Sequence, residues 1–490
     1  MSVLATTVEV SSDSGLPAGE VGLPRELLEM VTGLYRISQQ SQGRPTFAAM
    51  ETPILAICRK MGQWTMDHAL SAHAGSRSGQ AHRCPQCKGR FRIQRESQRR
   101  ELQSRWGLMS YHRPYGRCDR CGISGAPMDW ELGLPEVDIS IGLLERVCHA
   151  SVVTRSFEDA HEVMTVHSLV ELSAKSIRAF AEGEGRRLAA ARDRKVKAYL
   201  ERRLTVETEE PVSLLVVGAD GGRVQTRQSE SSERWKEDKI GVVYDAVAKP
   251  ESRAAPGEYQ GAKARIKTYV ATLQQWRDFG GMLRLEAEER GYAKAKTKLF
   301  VADGAKHIRE MKNEQFHETT FILDWSHAAE HLSDCAKVAF GEGTEKAARS
   351  YKEYRDMLWE GKRDDLIAEL GKLSKRLGKP QENDSEGSPR KVLDQNAHSY
   401  FPNNRDAIDY PAFRAQGWPI GSGVVEGSVK QFAIRLKGSE KFWNDFETTS
   451  AEDTFKTGAE EMLALCALYH CEDGRWQRHW ETLAQPRRWN

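Results

Sequence analysis

PVSLLVVGADGG, residues 211–222, is the stretch on which the reading of this 490-residue chain turns. A short apolar run closing on Asp-Gly-Gly spells a buried strand followed by a turn. One aspartate in such a place, Asp220, is ordinary turn chemistry. The pattern recurs downstream. TKLFVADGAKHIREM is a second apolar run closing on Asp-Gly, at Asp303, before a helix start. TTFILDWSHAAEHL is a third, ending at Asp324 and running into a helix. Two Asp-Gly strand ends are less ordinary, because that edge of an α/β sheet is where ligands bind.

KIGVVYDAVAK and AKARIKTYVATL are two further strand candidates, and QQWRDFGGMLRLEAEERGY is an amphipathic helix. The order is therefore three strands, helix, strand, helix, strand. Three antiparallel strands, then a helical crossover, then a parallel strand begin a ribonuclease H-like sheet. In that order the fourth strand lies beside the first. Neighbouring strands are ~4.8 Å apart, so Asp220 and Asp303 can face each other, while Asp324 falls roughly 10 Å from Asp220. Carboxylates that bridge two metal ions ~3.5–4 Å apart must be near neighbours, which favours Asp303 over Asp324 as the second acid.

A third acid lies in GWPIGSGVVEGSVKQFAIRLK, residues 417–437. Read as a helix, Val425, Val429, Phe432 and Leu436 make a buried stripe, with Glu426, Lys430, Ala433 and Lys437 on the adjoining face. With Gly423 as N-cap, Glu426 sits at the third helical position, where an acid helps any helix. The other reading brings Glu426 over the sheet edge, the glycines of GSG letting the first turn approach without Cβ clashes. Three carboxylates ~5 Å apart repel by about 3 kcal/mol per pair at an effective dielectric near 20. Two Mg2+ ions remove that repulsion and supply phosphoryl-transfer chemistry. Lys430 and Lys437 then lie where DNA phosphates would pass.

The cysteines form a separate signal. Four of nine fall in CPQC (Cys84, Cys87) and CDRCG (Cys118, Cys121), bridged by SRWGLMSYHRPYGRC, which has the look of a hairpin. Four thiolates so spaced are expected to form a closed, structural zinc site. From Arg77 to Arg120 about twelve basic residues face three acids, a local excess suited to phosphate. Trp106, Tyr111 and Tyr115 suit stacking on nucleic acid. Unligated core cysteine and a solvated basic surface are the plain alternatives.

Net charge is only +2, and 39% of residues are hydrophobic, enough for ordinary cores. No run approaches the ~18 apolar residues of a membrane span. The first twenty residues lack a basic n-region and an apolar h-region, so a cytoplasmic protein without a signal peptide is expected. The expected organisation starts with a disordered tail (1–22), an N-terminal helical domain (23–80) and a zinc ribbon (81–130). A helical, helix-turn-helix-like DNA-binding domain (131–205) follows. The core is then split by an all-helical insertion (328–419) into a leading segment (206–327) and a closing segment with the C-terminal helices (420–490).

Taken together, VGADGGRV, WKEDKIGVVYDA, FVADGAKHI, FILDWSHAAEHL, YFPNNRDAIDYPAFRAQGWPIGSGVVEGSVKQFAIRLK and GAEEMLALCALYHCEDGRWQRHW resemble ISKra-type bacterial insertion-sequence transposases of the DDE class. The GSGVVEG block is the most specific of them. The resemblance implies an α/β ribonuclease H-like catalytic core with a helical insertion before the glutamate. It implies cutting and joining of element ends with Mg2+ or Mn2+. Asp220, Asp303 and Glu426 carry over as the acidic triad, and Asp324 and His327 as an auxiliary pair near it; a strand-end hydrogen-bonded pair is the plain reading of those two. Arg435, Lys437 and Trp443 match the block that follows, RLKGSEKFWND, where Arg435 joins Lys430 and Lys437 as an expected DNA contact, although its spacing and charge depart from the family pattern. Implied partners are double-stranded DNA, as terminal inverted repeats and target, and further copies of the chain. The competing readings are an inactive or domesticated DNA-binding zinc protein and a structure-specific nuclease on the same fold.

Overall fold

A computed structural model describes residues 7–9, 20–22, 25–39, 46–76, 82–168, 170–206, 212–227, 234–251, 253–444 and 458–486. The chain is mixed α/β and forms two compact units. Of the tail expected to be disordered, Thr7–Glu9 pairs antiparallel with Glu20–Gly22; the rest lies outside the described residues.

The first unit takes in most of the N-terminal third. Helices Arg25–Gln39 and Phe47–Ser76 precede a four-stranded antiparallel sheet. Its centre is one long hairpin, Arg90–Ser104 with Gly107–Cys118, wider than the bridging segment that the sequence suggested. Tyr111 is buried and donates to Asp129, which also accepts from Arg113 and pairs with Arg100 at 2.9 Å. Arg100 and Arg113 are themselves buried. Tyr111 is therefore withdrawn from the stacking role expected of it, and two of the arginines neutralise a buried acid rather than face phosphate.

The second unit is built on a five-stranded sheet. Leu214–Gln225, Trp235–Val247 and Lys263–Thr272 form the antiparallel meander. Helix Trp276–Glu289 then crosses over, and Thr297–Ala302 returns parallel to the first strand. Helix Lys306–Gln315 leads to Thr320–Leu323, parallel on the outer edge. The fourth strand thus lies beside the first, as the order of apolar runs predicts. Leu215, Val217 and Ala219 point into a core shared with Phe279, Leu283, Phe300 and Phe316. Their neighbours Val216 and Gly218 must point the other way, because side chains alternate along a strand.

The first strand corrects one expectation. It does not turn at Asp220; it continues through Gly221 and Gly222 to Gln225, paired throughout with the second strand. What stops is its parallel neighbour, whose last residue is Ala302. From Trp325 to Ala415 the described chain has helices and no strand, and the helix Gly423–Leu436 follows.

That helix lies on the sheet face opposite the large core. Val425, Phe432 and Leu436 are buried, and Val429 is partly so, as its apolar stripe predicts. The close approach depends on Gly218. A Cβ there would come within 2.4 Å of Val425 and 3.2 Å of the Val301 carbonyl oxygen. The glycines of GSG do not supply it: Gly423 has nothing within 4 Å of a built Cβ, and Gly421 meets only the Asp324 carboxylate, at 4.0 Å. Gly218→Ala is expected to push the helix off the sheet and cost about 1–3 kcal/mol. Gly423→Ala should be near neutral in the same urea titration. Equal midpoints for the two variants would show that the helix position does not depend on Gly218.

Candidate active site

Strand register gathers the acids. Val301 pairs with Gly218, so two residues on Asp303 comes opposite Asp220. Ala302 pairs with Leu323, so one residue on Asp303 comes opposite Asp324. The three aspartates form a row across three parallel strands, Asp303 and Asp324 just past the ends of theirs and Asp220 within its longer one, on the face that also carries Gly218. Glu426 follows Val425, the residue seated on Gly218.

Each acid is held differently. The Gly221 N–H donates to Asp220 Oδ1 at 2.7 Å, and the Ala305 N–H to Asp303 Oδ1 at 3.0 Å. Asp324 is fully buried and caps helix Trp325–Phe340 by accepting from the His327 N–H at 2.9 Å. Its other oxygen accepts from the Ser422 N–H, so it ties the strand end to the turn before the Glu426 helix. Asp324 is thereby a hydrogen-bonded strand-end group, and its job in the fold is to position that turn.

Glu426 is not the cap that its sequence position suggested. Ser422, not Gly423, is the N-cap, and its side chain caps no backbone amide. Glu426 then falls one place later, at the fourth helical position. Its Oε1 accepts from the Ser422 hydroxyl at 3.2 Å, and Lys430 lies 3.9 Å away. A carboxylate not consumed by backbone amides is free for other chemistry.

One carboxylate oxygen each of Asp324 and Glu426 and one ring nitrogen of His327 lie within 4.8 Å of one another, a set that could hold a metal ion. Asp220 and Asp303 stand outside that set, but Asp220 feels the charges of Asp303, His327 and Glu426. Burial pushes the Asp220 carboxyl above the usual carboxylate range; the charges of Asp303 and Glu426 push it further, while Gly221 N–H and His327 oppose. So many like charges in a half-buried place fit a divalent cation.

A cavity of about 660 Å³ opens beside Asp303, walled by Lys306, Arg309, His331, Tyr400 and Asn404. Tyr400 stacks on His331 with ring centroids 3.7 Å apart. Gly304 is required here, because a Cβ would come within 2.8 Å of Tyr400 and 2.9 Å of Asn404. Nothing in the sequence pattern singles out His331, Arg309 or Tyr400. Tyr400 lies in YFPNNRD, inside one of the stretches that carried the resemblance, but no spacing rule points from it to Asp303.

The three basic residues expected on the DNA path separate. The Lys430 side chain is 81% exposed and can meet a strand. The Lys437 ammonium lies 4.0 Å from Asp238, a carboxylate only 1% exposed and raised above its usual range by burial. Arg435 is buried at 3% exposure, with its Nη1 donating to the Arg155 carbonyl at 2.9 Å. It is not on the open face that its place beside Lys437 implied, because residues 435 and 436 both fall on the packed side of the helix.

In the other unit, Cys84, Cys87, Cys118 and Cys121 bring their sulfurs within 4.8 Å of one another. Cys84–Cys121 and Cys87–Cys118 are each 3.4 Å apart, against ~3.8 Å expected for thiolates around a tetrahedral ion. Backbone N–H groups of Cys121 and Arg120 point at the Cys118 sulfur and hold its thiol below the usual range. The donor set and its spacing fit a soft, four-coordinate metal.

The Asp220 shift gives a pH prediction. Its folded pKa is raised, so the apo protein loses stability as pH rises through that value. A divalent cation offsets the loss only where the carboxyls are ionised. Millimolar Mg2+ or Mn2+ should raise Tm by about 3 °C or more near pH 8 and by much less near pH 5. Asp220→Asn should flatten the difference; an Mg2+ response independent of both pH and Asp220 would show that the cation binds elsewhere.

No protein-family model matches the chain, and no curated protein matches its sequence. Among solved structures it is similar to a chain of the Drosophila P element transposase strand transfer complex. Identity is 8% and the TM-score 0.29, over 71% of this chain and 96% of that one, a likeness too slight to carry an argument.

Proposed function

We propose that this chain is a DNA transposase of the DDE class, with a ribonuclease H-like core that cuts element ends and joins them to target DNA. The observation that carries the reading is the row of Asp220, Asp303 and Asp324 across three adjacent parallel strands with Glu426 on the helix packed over them. In this reading Asp220, Asp303 and Glu426 hold the catalytic metal. The arrangement also supports a share for Asp324 and His327, whose ligand atoms approach Glu426 most closely. Bound Mg2+ or Mn2+ would lower the pKa of the attacking hydroxyl and stabilise the leaving oxygen.

The chain's own residues do the rest. Asp324 fixes the turn that aims Glu426. Lys306 and Arg309, on the cavity wall beside Asp303, supply cations to phosphates entering there. Lys430, next to Glu426 and exposed, meets the strand outside. The four-cysteine ribbon takes structural zinc and belongs to the N-terminal DNA-binding region, which reads the terminal repeats.

The test is a Mn2+- or Mg2+-dependent assay on duplex DNA bearing the inverted repeats that flank the gene. Cleavage at the repeat ends followed by joining supports the transposase. Metal-dependent cleavage set by DNA structure and not by the repeats supports the nuclease. Repeat binding without cleavage in either metal supports the inactive DNA-binding reading.

A further inference from the structure

Arg435 is the most unusual cation among the described residues. It is only 3% exposed. One nitrogen of its guanidinium, Nη1, donates to a backbone carbonyl. The other two, Nε and Nη2, are buried and make no hydrogen bond among the described residues. No carboxylate there lies within ion-pair distance of it. The group is instead gripped by rings, its centre 4.0 Å from the Phe157 centroid and 5.6 Å from that of Trp443. Aromatic faces hold a guanidinium in place but do not satisfy its donors.

Arg435 lines a cavity of about 360 Å³ in the second unit. Arg155, Lys175, Arg178 and Lys441 line it too, against two acids, Glu158 and Glu440. Arg178 is already paired with Glu182 at 2.7 Å. Lys441 donates to the carbonyls of Ile434 and Arg435, which close the helix C-terminus. Burial and the neighbouring Arg435 lower the Lys441 ammonium to about 8. Asp159 also acts on Lys441 and Glu182 on Arg435, so among the described residues the five cations exceed the acids around them by one. Phe442, 42% exposed, stands at the rim with Arg234 over its ring at 5.6 Å.

Two open donors on one planar guanidinium match two oxygens of a tetrahedral or planar oxyanion. We propose that this cavity is an anion site that holds one phosphate group of a DNA strand, with Arg435 as its fixed fork and Phe442 as a rim on which a flanking base can stack. A phosphate is favoured over a carboxylate by the excess of cations and by the exposed aromatic at the rim, a pairing suited to a sugar-phosphate chain. The DNA source rests on the transposase reading; the anion site does not.

The experiment uses the full chain carrying Glu426→Gln, without divalent metal, so cleavage plays no part in the readout. Thermal shift and calorimetry are run with inorganic phosphate and with dimethyl phosphate, against chloride at equal ionic strength. Both phosphates are expected to raise Tm and to bind with one site per chain. Arg435→Gln should lose at least tenfold in affinity. Because that variant removes a buried group, Arg155→Glu and Lys175→Glu serve beside it; both side chains are exposed and their loss leaves packing intact. They should lose affinity while melting as the parent does. Binding of inorganic phosphate but not of dimethyl phosphate would assign the site to a free phosphate and overturn the DNA source. Equal binding by parent and all three variants, or no binding by the parent, would overturn the site itself.

Discussion

Glu426→Gln is expected to lower metal-dependent cleavage and joining roughly a thousandfold while leaving the protein folded. The substitution removes a charge and keeps the shape. Glu426 makes one side-chain hydrogen bond within the described residues, from the Ser422 hydroxyl, and the glutamine oxygen can accept it equally. The side chain is 37% exposed, so no buried group is orphaned. Removing one of several crowded acids also relieves repulsion on Asp220, so Tm without metal should stay level or rise slightly. The measurement is single-turnover cleavage of repeat-bearing DNA in Mg2+ and Mn2+, beside Tm with and without metal. Cleavage and joining at the parent rate would remove Glu426 from the chemistry. Lys430→Ala is the control for the helix face: it should weaken DNA binding in a salt-dependent way, with a far smaller effect on the chemical step.

The second large effect is expected in the ribbon. Purified protein should carry close to one equivalent of zinc, and Cys118→Ser should reduce it to a small fraction. The apolar support at this end of the hairpin is slight: Cys84, Phe91, Cys118 and Trp130 form its buried cluster, and two of the four belong to the cysteine set that could hold a metal. Structural zinc contributes on the order of 10 kcal/mol to folding in small metal domains. Without it the two cysteine turns, where Cys84 N–H bonds the Gly89 carbonyl and Cys118 N–H the Ile123 carbonyl, should open. Amide exchange across residues 82–125 should rise by several orders of magnitude, while the five-stranded sheet keeps its protection. A zinc-free Cys118→Ser protein with parental protection in the ribbon would make the metal dispensable.

Much of this is legible in the sequence. Apolar runs closing on aspartate gave the strands, and their order gave the neighbours, because a parallel pair needs a crossover and an antiparallel pair does not. The buried stripe of the Glu426 helix and the pairing of the CxxC turns were equally plain, each set by a short period or spacing. Other features were hidden. Asp220 looks like a turn residue but lies inside a strand, because its second-strand partner continues after its parallel partner stops. The helix approach depends on Gly218 and not on the glycines of GSG, since only packing shows which backbone faces which side chain. Arg435 stands close to Lys437 in sequence, yet the two-residue step between them, about 200° of helix rotation, turns it inward.

The sequence alone determined which residues carry charge, which segments are apolar, and so which strands and helices form and in what order. Tertiary structure alone decided which charges meet. Periodicity is local and survives in a single chain segment, whereas the convergence of Asp220, Asp303, Asp324, His327 and Glu426 depends on register and packing between segments far apart, information that no window of residues contains.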